Sequence, residues 1–521
     1  MRTARGARTV ALAGVGAAIV FGMTQGTAGF AASYSGTAQN GFSAPVKLGG
    51  STGLGEPTIA HDDGVGNPNG DRLFVTAPQS IGNINGAGGS PLFTSLDGGA
   101  TWGAPVRSQL CAGLSGGDTD LAVDGGDNVY QTDLWLGNSC LSVSEDHGSS
   151  FAAGNPYGSQ LQPGDDRPWI AWNKITNQNY LAYDGVDALH VTDTGPLANP
   201  AAGIASVTDN VVIPESAVNT NNTPDSVREC VCPPGGIAVD NTTGAHSGRV
   251  YVSYSYQHGT AISYSDITGA CPGSAPACTA NVTWTGPITV PNSDPDATLS
   301  AFTNEFNFDP IKVDSNGTVY VMWAHGVHFD GTTNLATSVQ EEYAYSTNGG
   351  ASWSNPIPLS TEGGTTTFPT MDVVAPGVLD VAWYGDPAHT SDPNAANGPW
   401  NVYYTRVTNA ASATPTINPI VAIAGMHTGC IQSGGGASCA DRSLLDFFQL
   451  TDTPCTANII YTGGDVGANV GTDLYFTKLA NLCAAGAAVP DAPWVPLLLV
   501  PAAAAAAVGR RLTRGRLSPA T

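Results

Sequence analysis

The sequence predicts an all-β protein built from repeated four-stranded sheets. Three observations carry that expectation. The 521 residues include 65 glycines and 36 prolines, a density of helix breakers that favours short strands and turns over long helices. Only 12% of residues are charged, about half the usual ~25%, which excludes a coiled coil, a long charged bundle and charge-driven disorder. The 41% that are hydrophobic supply a large core. Third, one phrase recurs along the chain: an apolar run, a turn with Asp or Gly, a β-rich run, then a third run.

Seven copies of that phrase start at Pro57-Thr-Ile-Ala-His, Asp118-Thr-Asp-Leu-Ala-Val-Asp, Arg167-Pro-Trp-Ile-Ala-Trp, Gly236-Ile-Ala-Val-Asp, Asp309-Pro-Ile-Lys-Val-Asp, Pro369-Thr-Met-Asp-Val-Val and Leu445-Asp-Phe-Phe-Gln-Leu. Their second runs include 72–76, 128–132, 179–183, 249–254, 318–323, 378–383 and 457–461. Alternation with β-branched and aromatic enrichment predicts strands here. Successive copies lie mostly about 50–75 residues apart, the length of a four-stranded unit with its connections. The last copy offers three runs, ending at Tyr475–Leu479, and Ala44–Leu48 is expected to supply its fourth strand, removing both free edges.

Both ends read as addresses. Residues 1–32 carry Arg2, Arg5 and Arg8, an apolar run from Val10 to Met23, and small residues around Ala28 and Ala31. This is the three-part order of a secretory signal peptide. Residues 33–483 form the folded body and 484–493 a linker. An apolar segment follows at 494–509, and 510–521 is a tail with four arginines. The fifteen residues Trp494–Val508 would span about 22 Å as a helix, short of a ~30 Å hydrocarbon core. Linker, apolar run and basic tail together suggest an anchoring or sorting segment, with the arginines held in the cytoplasm. No LPxTG motif precedes it. The expected location is the outer face of the cell envelope, or the medium.

The formal net charge is −24. Seven of the 18 basic residues are terminal arginines, so Ser33–Pro490 holds 11 basic against 41 acidic residues, or −30. A body that negative repels nucleic acid and anionic membranes. Ten cysteines in an exported chain predict disulfides. Neighbour pairing gives Cys111–Cys140, Cys271–Cys278, Cys430–Cys439 and Cys455–Cys483, leaving Cys230 and Cys232 together.

Several third runs close on a second signature. Ser95–Trp102 reads SLDGGATW, Ser346–Trp353 reads STNGGASW, and Ser144–Phe151 reads SEDHGSSF. Ser95, Ser144 and Ser346 open these turns. Asp97, Asp146 and Asn348 offer an oxygen to turn amides. Gly99, Gly148 and Gly350 take a conformation closed to other residues, and Trp102, Phe151 and Trp353 fold back onto the sheet. This Asp-box pattern, S-x-D-x-G-x-T-W, resembles that of the sialidase-like (BNR-repeat) β-propeller superfamily, over about residues 45–480. The resemblance implies four-stranded blades around a channel. Seven apolar first runs favour seven blades, with the family's six as the alternative, closed by the N-terminal strand.

In such a fold the segments leading into the first strands gather at one mouth. Here they carry Glu56, Asp118, Asp120, Asp165, Asp166, Arg167, Arg228, Glu229, Glu305, Asp309, Asp441, Arg442 and Asp446. Arg forks suit carboxylates. Asp166-Arg167 and Asp441-Arg442 also read as local braces of their own sheets. The family's hydrolases use an Arg triad, a Glu-assisted Tyr nucleophile and an Asp acid/base, an exception to the two-carboxylate scheme. On this chain the resemblance implies Asp166, Arg167, Glu305, Arg442 and Tyr461 as catalytic candidates, with Arg228 or Arg249 completing a triad. Asp118, Asp120, Arg228, Asp309 and Asp446 are ligand-binding candidates. The family's early Phe-Arg-Ile-Pro motif is absent.

No cofactor is required by this reading. His325-x-x-His328-x-Asp330 has loose transition-metal spacing, and Asn292-Ser-Asp-Pro-Asp296 offers oxygens that suit calcium. G-x-S-x-G, HExxH and phosphate-loop motifs are absent. Two functions compete: a surface-tethered, monomeric module that holds a glycan or surface protein at the mouth, and an exo-α-sialidase. Three converging arginines with a Tyr–Glu pair would favour the enzyme, and arginines spent on their own aspartates would favour binding.

Overall fold

The structure is a computed structural model. It describes residues 35–483 except 63–71, 79–88, 110–115, 136–137, 152–165, 186–187, 195–207, 215–233, 257–258, 267–282, 294–307, 326–338, 391–392, 394–395, 432–442, 454 and 466–471. The described residues contain strands and no α-helix. None forms a helix long and apolar enough to cross a membrane. Both terminal addresses lie outside the described residues.

Two short strands lead in, β1 (Thr37–Ala38) and β2 (Val46–Lys47). Seven antiparallel groups follow. The first is β3 (Thr58–His61), β4 (Leu73–Thr76), β5 (Pro91–Ser95) and β6 (Val106–Arg107). The second is β7 (Leu121–Val123), β8 (Val129–Trp135) and β9 (Asn138–Ser144). The third is β10 (Asp166–Asn173), β11 (Gln178–Asp184), β12 (Ala188–Asp193) and β13 (Thr208–Pro214). The fourth is β14 (Gly236–Val239), β15 (Val250–Tyr256), β16 (Gly259–Ser265) and β17 (Thr285–Thr289). The fifth is β18 (Ile311–Val313), β19 (Val319–His325), β20 (Gln340–Ser346) and β21 (Ile357–Pro358). The sixth is β22 (Thr365–Ala375), β23 (Val378–Asp386), β24 (Trp400–Thr408) and β25 (Ile420–Thr428). The seventh is β26 (Gln449–Thr453), β27 (Thr456–Asp465) and β28 (Asp473–Leu479).

The N-terminal lead-in joins the last two groups. Val46 and Lys47 pair with Phe476 and Tyr475 of β28, and Thr37 and Ala38 pair with Ala424 and Ile423 of β25. The sixth and seventh groups are further linked by parallel pairing of His427–Thr428 with Gly464–Asp465.

The core lies between sheets. Tyr320, Met322 and Tyr343 of the fifth group pack with Met371, Leu379 and Trp383 of the sixth. Leu73, Val75 and Phe93 of the first pack with Ile460, Leu474 and Phe476 of the seventh. Strands inside each sheet are therefore buried on both faces: every residue of β4 is buried, and Val319–Ala324 of β19 as well. Burial on both faces explains the apolar residues that interrupt the alternation of the second runs.

The Asp-box turns form as their spacing predicts. The Ser95 hydroxyl accepts from Gly99 N (2.8 Å) and donates to Asp97 (2.9 Å), while Asp97 accepts from Thr101 N (2.8 Å). Asp146 accepts from Ser150 N at 2.8 Å and Asn348 from Ser352 N at 3.0 Å. The box aromatics pack at the seam between two sheets. Trp102 joins a cluster built from its own sheet and the seventh group, and meets Phe476 of the latter edge-on at 5.4 Å. Phe151 likewise packs with Phe74 and Leu92 of the first group, and Trp353 with Tyr251 and Ile262 of the fourth. Apolar surface is scarce at the exposed turn and abundant on the neighbouring sheet.

Cys455 and Cys483 form a disulfide with Cα atoms 4.8 Å apart. Cys140 and Cys430 are also disulfide-bonded. Their expected partners Cys111 and Cys439 lie outside the described residues, as do Cys230, Cys232, Cys271 and Cys278.

Candidate functional site

The first strands of the groups begin at a common end, and Arg167 organises it. Arg167 follows the first residue of β10, where the register with β11 shifts between Asp166 and Trp169. Its φ is +56°, a left-handed conformation that non-glycine residues hold only when their surroundings impose it. Glu56 (+50°) and Leu445 (+59°), in the leads to β3 and β26, share it. These turns aim side chains from four sheets at one point. Arg167 meets Asp446 Oδ2 at 2.5 Å, Asp118 Oδ2 at 3.3 Å and Glu56 Oε1 at 3.5 Å. Glu56 Oε1 also accepts from Asp446 N at 2.8 Å.

Glu56 and Asp446 are almost wholly buried, at 3% and 1% exposure. Burial alone would release the Arg167 proton. The carboxylates of Asp118, Asp446, Glu56 and Asp166 outweigh it and hold the guanidinium firmly charged. Asp166 keeps an exposed side chain, and partial loss of hydration among the neighbouring acids, then repulsion from Asp118, with Arg167 opposing, raise it to about 6. The expected pairing of Arg167 with the aspartate beside it is thus replaced by a cross-sheet knot. Among the described residues Arg167 is shared by three acids.

Behind the knot lies an aromatic plug. The Arg167 guanidinium sits 4.9 Å from the centre of the Phe308 ring. Trp169, Phe308 and Phe447 pack against one another at 5.0–6.0 Å between ring centres, and the Trp169 indole donates to Pro234 O.

The remaining candidates disperse. Arg228, Glu305, Arg442, His328, Asp330 and Asp296 lie outside the described residues. Tyr461 is enclosed in β27 with 0% exposure, stacks on Tyr475, and donates its hydroxyl to Ser35 O at 2.5 Å. Burial pushes that hydroxyl well up, so it is neither open to a substrate nor readily ionised. Arg249 forks onto Asp266 (2.6 and 2.7 Å) and donates to Gly349 O, which removes it from any triad. Asp120 accepts from Ile170 N at 3.0 Å, covering the open edge of β10, and burial raises it to about 6. Asp309 is 1% exposed and burial raises it to about 7. His325 Nδ1 lies 2.8 Å from Glu342.

Asp62, Asp127 and His147 present ligand atoms within 4.8 Å of one another. Arg72 already fills that space, 2.8 Å from Asp62, 3.5 Å from Asp127 and 3.0 Å from His147 Nδ1.

On the other side of the plug the first strands enclose a cavity of about 400 Å³. His61, Lys312, Asp372 and Thr451 line it near the end where those strands finish. The sequence reading passed over them because each sits inside an apolar strand run. The signal was a lysine within Asp309-Pro-Ile-Lys-Val-Asp, one of only four lysines in the chain.

No protein-family model matches the chain, and no curated protein matches it. Among solved structures, an ulvan lyase of polysaccharide lyase family PL25 is similar at 11% identity and a TM-score of 0.48, covering 84% of this chain and 96% of that one. The intramolecular trans-sialidase of Ruminococcus gnavus is similar at 12% identity and 0.38, covering 82% and 96%. The endosialidase of phage phi92 is similar at 11% and 0.40, covering 86% and 68%. At these identities and scores the similarity bears on neither activity nor ligand.

Proposed function

We propose that the chain is an exported, surface-tethered β-propeller of seven blades that binds a glycan at the acidic end around Arg167, without hydrolysing it. The succession of inter-sheet cores supports the ring, as does the packing of the last group on the first with β2 along β28. Residues 1–32 act as the export signal, 484–493 as linker, and 494–521 as the anchor with its basic tail.

The commitment of Arg167 to Glu56, Asp118 and Asp446 carries the functional reading. Three carboxylates already neutralise that guanidinium, and the surplus negative charge around it repels anionic ligands. The ligand is therefore an uncharged or cationic glycan chain.

One observation favours a second reading, a glycoside hydrolase. Asp166, raised to about 6, stands beside Asp118. A carboxyl with raised proton affinity is what general acid chemistry at a glycosidic bond needs.

The test applies the purified whole chain to an array of neutral, amino-sugar and sialylated glycans, beside turnover of a fluorogenic α-sialoside. Binding of uncharged or amino-sugar glycans without turnover is expected. Turnover lost in Asp166→Asn would make the protein a hydrolase, and retention of sialylated glycans alone would overturn the reading.

A further inference from the structure

The cavity beyond the aromatic plug has the volume, the closed floor and the unused polar atoms of a ligand site. Its about 400 Å³ falls within the ~300–1,000 Å³ of small-molecule sites. Trp169, Phe308 and Phe447 close its floor.

Its rim is a relay across four of the strand groups. His61 Nδ1 lies 2.8 Å from Thr451 Oγ1, Thr451 Oγ1 lies 3.1 Å from Asp372 Oδ2, and Asp372 Oδ1 lies 3.6 Å from Lys312 Nζ. Burial would raise Asp372, but Lys312, the charged form of His61 and the amides of Asp452 and Val373 outweigh it and hold the carboxyl below its ordinary range. Asp372 is therefore an acceptor only, so the Thr451 hydroxyl donates its single proton to it. His61 must then donate from Nδ1 to Thr451. In the neutral imidazole, the form this site uses, that fixes the tautomer and leaves Nε2 as an acceptor with no hydrogen-bond partner among the described residues.

Lys312 stands beyond hydrogen-bond length from Asp372, so its ammonium protons remain available. The other polar groups of the lining are spent. Gln449 Oε1 accepts from Ile59 N, Asp120 from Ile170 N, and Asn241 bonds both Lys174 N and Trp172 O. The rim thus offers one fixed acceptor and one fixed donor. The charges of Lys312 and Asp372 cancel locally, and an anion would meet Asp372 within a chain of net charge −24.

We propose that this cavity is a second binding site, distinct from the acidic end, for an uncharged polyhydroxylated ring of pyranose size. One ligand hydroxyl donates to His61 Nε2, another ligand oxygen accepts from Lys312 Nζ, and the C–H face of the ring lies toward the aromatic floor. The assignment stands whether or not the acidic end holds a glycan.

The test is calorimetric titration of the whole chain at pH 7.5 with the methyl glycosides of glucose, galactose and mannose, with inositol, and with methyl glucuronide. Lys312→Met, His61→Leu and, as a control on an exposed residue outside both sites, Glu145→Gln are titrated beside the parent, with thermal midpoints confirming that each is folded. At least one neutral ring is expected to bind, about 10-fold more weakly in Lys312→Met and in His61→Leu, the loss of one hydrogen bond each, and unchanged in Glu145→Gln. Failure of all the neutral rings at concentrations up to about 20 mM, in the millimolar range of weak sites, would overturn the site. So would tighter binding of the glucuronide, or neutral-ring binding that both rim variants leave unchanged. Should Lys312→Met prove unfolded, His61→Leu decides alone, and Lys312→Gln replaces the lysine variant.

Discussion

Lys478 donates from its ammonium to the carbonyl of Gly98 at 2.7 Å, tying the last strand of the chain to the turn of the first Asp-box. The same joint recurs between other neighbouring sheets. Arg249 of the fourth group donates to Gly349 O in the box of the fifth, and Arg72 of the first reaches His147 in the box of the second. In each case a cation from one strand group reaches into a box turn of another that it packs against. The turn glycines are seated against the same neighbour: Gly99 on Phe476, Gly148 on Phe74 and Thr94, Gly350 on Tyr251. The box is thus both a local hairpin and a joint between sheets.

That joint makes Gly99 the least replaceable residue of its turn. Its φ is +81°, and an added Cβ would stand 2.0 Å from the Phe476 ring. Gly53 has φ +84° with nothing within 4 Å of an added Cβ, so it isolates the backbone cost. Gly53→Ala is expected to lose about 1 kcal/mol, the strain of a left-handed alanine. Gly99→Ala should lose about 2–4 kcal/mol, because overpacking adds a further 1–3 kcal/mol. Urea denaturation of both variants checks the difference, and equal losses would refute the joint.

Removing Arg167 should damage the fold before it damages any ligand. The guanidinium lies within ion-pair distance of Glu56, Asp118 and Asp446. Breaking a buried ion pair by deleting one partner costs about 3–5 kcal/mol, because charge is left uncompensated. Arg167→Leu is expected to lose that much by denaturant titration at pH 7. Arg167→Leu with Glu56→Gln should recover part of it, since one stranded charge is then gone. A single variant as stable as the parent would show that the knot is not structural.

The legible parts of this protein are those whose physics is local. The Asp-box turns could be read because Ser95, Asp97, Gly99 and Thr101 satisfy one another within seven residues. The pairing of Cys455 with Cys483 was legible for the same reason. The partners of Arg167 were not, because Asp446 lies 279 residues away and a neighbouring aspartate offered a simpler brace. Tyr461 misled because a tyrosine in a strand reads alike whether it faces a channel or a core, and here both faces of the sheet are covered. His61, Thr451, Asp372 and Lys312 come from four sheets, and no spacing in the sequence brings them together.

Tyr461 supplies a test that separates a core residue from a nucleophile. Its hydroxyl has one partner, Ser35 O, and its ring is enclosed. Tyr461→Phe keeps the ring and deletes the hydroxyl. It is expected to cost about 0.5–1.5 kcal/mol, the net worth of one hydrogen bond, and to leave ligand binding and any glycosidase turnover at parent level. Thermal unfolding and a fluorogenic glycoside assay read the two effects. A loss of turnover exceeding 100-fold at unchanged stability would restore Tyr461 as a nucleophile.

Asp309 makes stability depend on pH in a direction opposite to that of a paired carboxylate. Burial raises it from an ordinary 3.8 to about 7, so the folded chain binds that proton more tightly than the unfolded chain. Its contribution to stability is complete below about pH 4 and is lost as the pH rises through 7, where the buried carboxyl must ionise. At 1.36 kcal/mol per unit the span is at most of the order of 4 kcal/mol. Asp120, raised to about 6, acts with the same sign. Asp209 and Asp372, both held low, act with the opposite sign: their stabilisation is present above about pH 4 and disappears on acidification. The parent profile therefore mixes both slopes, and a substitution isolates one of them. Asp309→Asn keeps the shape and removes the ionisation. It should leave stability near the parent value at pH 4.5 and raise it by a few kcal/mol at pH 8, measured by urea titration across that range. A variant that loses stability equally at both pH values would mean that Asp309 is ionised and partnered in the folded chain.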